Sequence, residues 1–229
     1  MPRDRKLFRR TPIRGPRRRR SPEAARAEIL DAAERVLHDF HPDQVGLVDV
    51  SREAGVSPAL VTHYFRTYDG VLEAALERRI RALREVIFTR LGDAGAVSRP
   101  GELLGILFRA LEDPIHLKLV KWLVASGRST SARAFALQDH GLQLVAHQVA
   151  EAIAPRPTKE TINTIELALL TAVSAAYGYA TTKYALAGAL GRVANNELDA
   201  GVQRTLAAML QVYLRETLKS VISPGSLGS

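Results

Sequence analysis

An all-α fold is predicted for this 229-residue chain by three observations. Apolar residues recur at the spacing of one helix face, as Ile29, Ala33, Val36, Leu37 and Phe40 do, and no segment alternates with the period of two that a half-buried strand needs. Ala and Leu are abundant while Phe, Tyr and Trp together make up 6% of the chain, a balance that favours helix over sheet. Helix-starting and helix-stopping residues punctuate the periodic stretches, as Ser21-Pro22, Gly55, Ser57-Pro58 and Pro114 do. The length allows one or two domains, and with 46% apolar residues the chain can bury a sizeable core.

The elements follow in order. Residues 1–20 hold ten basic residues against Asp4, a net charge of +9, with only Leu7, Phe8 and Ile13 as sizeable apolar groups. Such a segment cannot offset its ordering entropy and reads as a disordered basic arm. Ten cations in twenty residues repel one another until a polyanion neutralises them, which favours a phosphate-binding arm over a solvated tail. Residues 21–69 carry net −5 and residues 70–229 net +4, so the basic character of the chain is concentrated in the arm.

Ser21 caps a first helix that Pro42 ends. A short second helix runs from about Leu47 to Ala54, with Leu47, Val50 and Ala54 inward and Gly55 just beyond its end. Ser57 and Pro58 open a third, reaching about Tyr64. The fourth spans about 68–91 with Leu72, Leu76, Ile80, Leu83 and Ile87 on its buried stripe, and residues 92–100 read as a linker. Further helices are expected near 101–112, 115–127, 131–153, 158–187 and 198–222, before a flexible tail over 223–229. The domain division is therefore an arm (1–20), a three-helix domain (21–67), a helical bundle (68–222) and the tail.

Composition excludes several functions. The chain has no cysteine, hence no disulfide, thiolate nucleophile or Cys-ligated metal. The longest uncharged apolar stretch, residues 167–182, is too short and too polar to span a bilayer. The first twenty residues contain no apolar signal-peptide core and no acylation motif, so a soluble, cytoplasmic protein without membrane attachment is expected.

Residues 46–72 read GLVDVSREAGVSPALVTHYFRTYDGVL. Two short helices joined by Ala54-Gly55-Val56-Ser57 are the signature of a helix-turn-helix: glycine permits the positive φ of the turn, and Val56 can plug the core between the helices. The N-terminal half of the third helix would then enter a DNA major groove, with Thr62, His63 and Tyr64 supplying groups suited to phosphates or base edges. An ordinary packed helix pair would share the turn, but not the three-helix context and the basic arm.

Here the chain resembles the TetR family of bacterial transcription regulators. The resemblance rests on Ile29-Leu30-Asp31-Ala32-Ala33, Ala54-Gly55-Val56-Ser57, His63-Tyr64-Phe65 and Asp69-Gly70-Val71-Leu72, and covers about residues 22–82. It implies a DNA-binding set of Leu47, Ser57, Pro58, Ala59, Thr62, His63, Tyr64 and Tyr68. Arg17, Arg18, Arg19 and Arg20 would lie in the adjacent minor groove, as such extensions are thought to do. It also implies a homodimer on a palindromic operator in double-stranded DNA, and a C-terminal bundle for ligand binding and dimerisation. Three positions depart from the family pattern: Gly46 stands for the usual Thr, Thr62 for an aromatic, and Tyr68 for a phosphate-binding Lys. The arm would compensate.

Competing chemistry is weaker. Gly55-Val56-Ser57-Pro58-Ala59 approaches a G-x-S-x-G nucleophile elbow, but a helix rather than a strand precedes the serine and the last glycine is missing. His38 and His41 with Asp39 and Asp43 read as polar residues fraying a helix end rather than a metal cluster. His140 and His147 are two turns apart, and no phosphate-cradling glycine loop appears. No enzyme activity, metal or cofactor is therefore expected.

Phe108, Leu119, Trp122, Phe135, His140, His147 and Tyr177 are candidate lining for a pocket that takes a small apolar effector, although Phe108, Trp122, Phe135 and Tyr177 at helical spacing are most simply core. Glu166 is either a solvated residue or a buried polar anchor. Ala168, Ala172, Ala175, Ala176 and Gly178 would permit close helix approach at a subunit interface formed by helices near 158–187 and 198–222. The expected function is a homodimeric DNA-binding transcription regulator, a repressor released by that effector. The rival is a helical small-molecule or lipid-binding protein with a polyanion-binding arm.

Overall fold

The computed structural model of the chain describes residues 21–92, 100–127, 141–154 and 156–219. Among these residues there are nine helices and no strand: α1 (Pro22–Asp39), α2 (Leu47–Glu53), α3 (Pro58–Phe65), α4 (Tyr68–Leu91), α5 (Pro100–Glu112), α6 (Pro114–Ala125), α7 (Gly141–Ile153), α8 (Lys159–Ala189) and α9 (Asn196–Thr217). No helix among the described residues is long and apolar enough to cross a membrane. The basic arm, residues 93–99 of the expected linker, residues 131–140 of the helix expected over 131–153, and the tail lie outside the described residues.

Local chemistry sets the helix starts. The hydroxyls of Ser21, Ser57 and Thr67 accept the backbone N–H of Ala24, Leu60 and Gly70, each three residues on. At α2 the cap is reversed: Gly46 has no side chain, and the Asp49 carboxylate accepts the Gly46 N–H at 3.0 Å. Asp113 opens α6 by accepting from Ile115 and His116. Gly55 takes φ +65° in the α2–α3 turn, a conformation that a Cβ disfavours. The first helix ends at Asp39, short of Pro42, which disfavours helical backbone at residue 41. Phe40 is therefore extended and half exposed, not inward as its spacing suggests.

Three apolar clusters hold the molecule. The first joins α1, α2, α3 and the start of α4 through Ile29, Leu37, Val50, Val61, Leu72 and Leu76, all fully buried. It also takes in Leu119 and Leu123 of α6. Each such side chain contributes about 1.5–3 kcal/mol by leaving water. Val56 packs against this cluster between the two short helices. The second cluster joins α5, α8 and α9 around Leu104, Leu107, Phe108, Leu206 and Leu210. The third joins the end of α4 to α7 and α8.

Two assignments change. Ala168, Ala172 and Ala176 are buried within the chain in the second cluster, so the close approach they permit is between α8 and the neighbouring helices of the same chain. Small side chains allow this without voids, whereas Ala175 and Gly178 of the same expected set are exposed on α8. Along α4, Leu72 and Leu76 are fully buried, but Ile80, Leu83 and Ile87 are only partly so, because there the helix leaves the first core and borders a cavity.

Candidate functional site

The outer face of α3 is built by its own periodicity. Val61 and Phe65 are four residues apart and buried in the first core, which turns Pro58, Ala59, Thr62 and His63 outward. Ser57 is also exposed, and its hydroxyl is engaged as the cap of α3, a structural role rather than a nucleophile's. Thr62 donates its hydroxyl to the Pro58 carbonyl at 3.1 Å, which fixes its rotamer on the exposed face. His63 and Tyr64 meet edge to face with centroids 5.2 Å apart. Tyr64 and Leu47 are half-buried and pack against the core, so neither projects freely.

Three of the four arginines on this domain are engaged within it. Arg35 donates to Glu53 at 2.6 Å, Arg52 to Asp49 at 3.1 Å, and the Arg26 guanidinium lies over the Phe65 ring at 5.1 Å. Arg66, in the exposed turn after α3, has no such partner among the described residues, and sequence reading passed it over. Its signal was elimination: four basic residues lie between 21 and 69, and the other three are engaged. Tyr68 differs from expectation. Its hydroxyl is enclosed and has no hydrogen-bond partner among the described residues. Burial, then the charges of Asp49, Asp69 and Asp43, push the phenol up to about 12. A neutral hydroxyl shut off from solvent is not open to a phosphate in this arrangement.

Behind this domain, α4, α5, α7, α8 and α9 surround a cavity of about 450 Å³, within the usual range for ligand pockets. Its walls are almost wholly apolar, with Ile87, Leu107, Val145, Leu169 and Leu214 among them. Of the candidate ligand residues, Tyr177 lines it. Phe108 faces the second cluster and Tyr179, Leu119 is fully buried in the first, and Trp122 packs on that same core. His147 bonds the Gln143 carbonyl on its own helix and does not line the cavity, nor does Glu166, which is half-buried. Phe135 and His140 lie outside the described residues. The cavity falls on the apolar stripes of α4, α7 and α8, which sequence periodicity cannot tell from ordinary core.

Residues 29–75 match the family described as bacterial regulatory proteins, tetR family. Over these residues the helix-turn-helix domain is similar to that family. Over 100 residues the chain is 30% identical to the HTH-type transcriptional regulator BetI of Cronobacter sakazakii, covering 43% of this chain and 50% of that one. It is also 30% identical over 66 residues to BetI of Escherichia coli, covering 29% and 34% respectively. The chain thus spans half or less of the length of these curated relatives. The fold as a whole resembles a tetR-family transcriptional regulator from Streptomyces coelicolor, with a TM-score of 0.61 at 21% identity over 87% of this chain and 90% of that one. A TetR transcriptional regulator from Rhodococcus sp. RHA1 aligns with a TM-score of 0.53 at 15% identity, over 84% and 98%.

The helix-turn-helix domain is fastened to the bundle by ionic and polar contacts. Glu34 of α1 accepts from both Arg78 and Arg79 of α4, at 2.5 and 2.6 Å; Arg78 also reaches Asp31, and Arg79 reaches Asp113 at the start of α6. Burial works to raise the Asp113 carboxyl, but the hydrogen bonds it accepts and the Arg79 charge outweigh it and hold the group below its ordinary value. Lys118 of α6 donates to the Leu37, His38 and Phe40 carbonyls, capping the C-terminus of α1 with a cation. On the other side of α6, His116 Nε2 and the Tyr177 hydroxyl share a hydrogen bond of 2.9 Å. Burial, then the nearby Arg79 charge, pushes His116 down to about 4 against the pull of Asp113. Burial pushes Tyr177 up to about 12, so both groups are neutral near pH 7. Helix α6 therefore touches a cavity-lining residue and the end of α1 at once.

Proposed function

We propose that the chain is a sequence-specific DNA-binding transcription regulator, a repressor that a small apolar effector releases. The observation that carries this reading is the exposed face of α3, with Pro58, Ala59, Thr62 and His63 standing on a fixed core at the end of a helix-turn-helix. In it, the start of α3 enters a major groove, with Thr62 and His63 reading base edges and Ser57, Tyr64 and Arg66 contacting the backbone. Arg17, Arg18, Arg19 and Arg20 follow the minor groove. The working division is a head over residues 21–67 and a body over 68–222.

Two heads on a palindromic operator require a dimer. Both α8 and α9 leave apolar side chains exposed, Leu167, Leu170 and Leu186 on one and Met209, Val212 and Tyr213 on the other, and these are the surfaces a second copy would cover. The effector occupies the cavity and acts through α4 and α6. It shifts the heads only so far as it binds one arrangement better than the other. No catalysis is part of this reading.

Selection of bound fragments from random duplex DNA by the full chain tests it. A palindrome bound at least about 10³-fold more tightly than random duplex at fixed salt is the expected result. The cavity and the basic arm are also what a small-molecule carrier with a polyanion-binding arm would have. Salt-sensitive binding with no sequence enriched would favour that second reading and reject the first.

A further inference from the structure

Two guanidinium groups border the apolar cavity, from Arg81 and Arg84 of α4. They differ in state. Arg81 donates to Glu77 one turn back at 2.6 Å and is largely exposed. Arg84 is half-buried, and its Nε is shut off from solvent with no hydrogen-bond partner among the described residues. Among the described residues no carboxylate lines the cavity. The Arg84 terminus passes beside Gly141, where a Cβ would lie 3.2 Å from Nη1, so the glycine leaves the guanidinium the room it occupies. A half-buried guanidinium with no carboxylate partner among the described residues is costly unless an anion meets its terminal nitrogens, and arginine's planar fork suits a carboxylate. The rest of the wall offers aliphatic contact.

Resting on the effector reading above, we infer that the cavity takes an amphipathic carboxylate, its alkyl chain among Leu107, Val145 and Leu169 and its head group on Arg84. The effector is thus apolar in its body and anionic at one end. Neutral alkyl compounds of equal length fill the same walls but leave Arg84 without a counter-ion.

Isothermal titration of the full chain with dodecanoate and with its methyl ester separates the two cases. The acid should bind at least about tenfold more tightly than the ester. In Arg84→Gln the two affinities should converge, and in Arg84→Lys a preference for the acid should return in part. Equal binding of acid and ester by the parent chain, binding of neither, or a preference that survives Arg84→Gln overturns the inference. The first comparison needs no variant, so a misfolded variant does not spare it. Release of the selected operator duplex is measured alongside. An acid preference without release keeps the site and rejects the regulatory reading, whereas release by both probes alike keeps regulation and rejects the role of Arg84.

Discussion

A methyl group added at Gly70 would lie 2.2 Å from the Phe65 carbonyl oxygen, which belongs to the end of α3 and cannot retreat without unwinding it. Gly55 has the opposite problem: nothing stands within 4 Å, but its φ is +65°. Gly70→Ala is expected to cost about 1–3 kcal/mol by overpacking, and Gly55→Ala about 1–2 kcal/mol by backbone strain, in urea unfolding. A parent-like midpoint for Gly70→Ala would mean that α3 and α4 approach less closely than described. On the outer face of α3, Thr62→Ala should alter preference at one base position by about 1–3 kcal/mol. Arg66→Ala should instead weaken all sequences alike and lower the salt slope by about 1. Binding profiles of both variants against the selected operator and its single-base changes check this, and two parent-like profiles would remove α3 from the groove. Tyr64 is a poorer probe than its position suggests, because its ring packs on the core; Tyr64→Phe isolates the hydroxyl. The caps at Ser21 and Ser57 were legible in the sequence because their chemistry spans three residues. The enclosure of the Tyr68 hydroxyl was not, since it depends on how α4 leaves the head.

At the scale of elements, α6 is the joint between head and body, and its chemistry should show in the pH dependence of stability. His116 is 2% exposed and sits near 4 in the folded chain, against about 6.5 when unfolded. Between these values the unfolded chain binds a proton that the folded chain refuses. Stability therefore falls as pH drops from about 6.5 to 4, by on the order of 3 kcal/mol from this residue alone. His116→Gln keeps a partner for Tyr177 without a titrating ring, so its loss of stability over that range should be smaller by that amount. Urea midpoints of parent and variant at pH 7 and pH 4.5 give the difference, in which the carboxylates common to both cancel. Equal acid losses would mean that His116 is solvated when folded. The helix itself was legible from Pro114 and the apolar spacing of Leu119, Val120 and Leu123. What it joins was not: Lys118 meets α1 carbonyls about eighty positions away, a contact with no local pattern. The same limit hid the cavity, since Ile80 and Ile87 have the spacing of core residues whether or not a void lies beside them.

At the scale of the whole molecule, the first question is which surfaces face a second copy. Ala176 is fully buried, so Ala176→Arg would attack the chain's own core and report nothing about assembly. Leu186 on α8 and Val212 on α9 are more than half exposed, do not line the cavity, and are the better probes. Leu186→Arg combined with Val212→Arg should give folded monomers in sedimentation velocity that no longer hold the operator, and a persistent dimer would place the interface elsewhere. The second question is how a head of net charge −5 approaches a polyanion. Arg26, Arg35 and Arg52 are turned to internal partners, so Arg66 is the remaining head guanidinium not engaged among the described residues. The cations needed for long-range attraction must come from elsewhere, and residues 1–20 hold ten. If roughly four per arm neutralise phosphates, about eight act in a dimer, and deleting residues 2–20 should lower the slope of log affinity against log salt by about 7. Arginines near the start of α1 are favoured where A·T runs narrow the minor groove, so the deletion should also remove any preference for A·T flanks. Base preference under α3 should stay, because those contacts come from a part of the chain the deletion leaves intact. Titrating the deleted chain and the parent against salt on the selected duplex decides the matter. An unchanged slope would leave the arm without a role in binding and transfer the whole electrostatic task to a head whose charge opposes it.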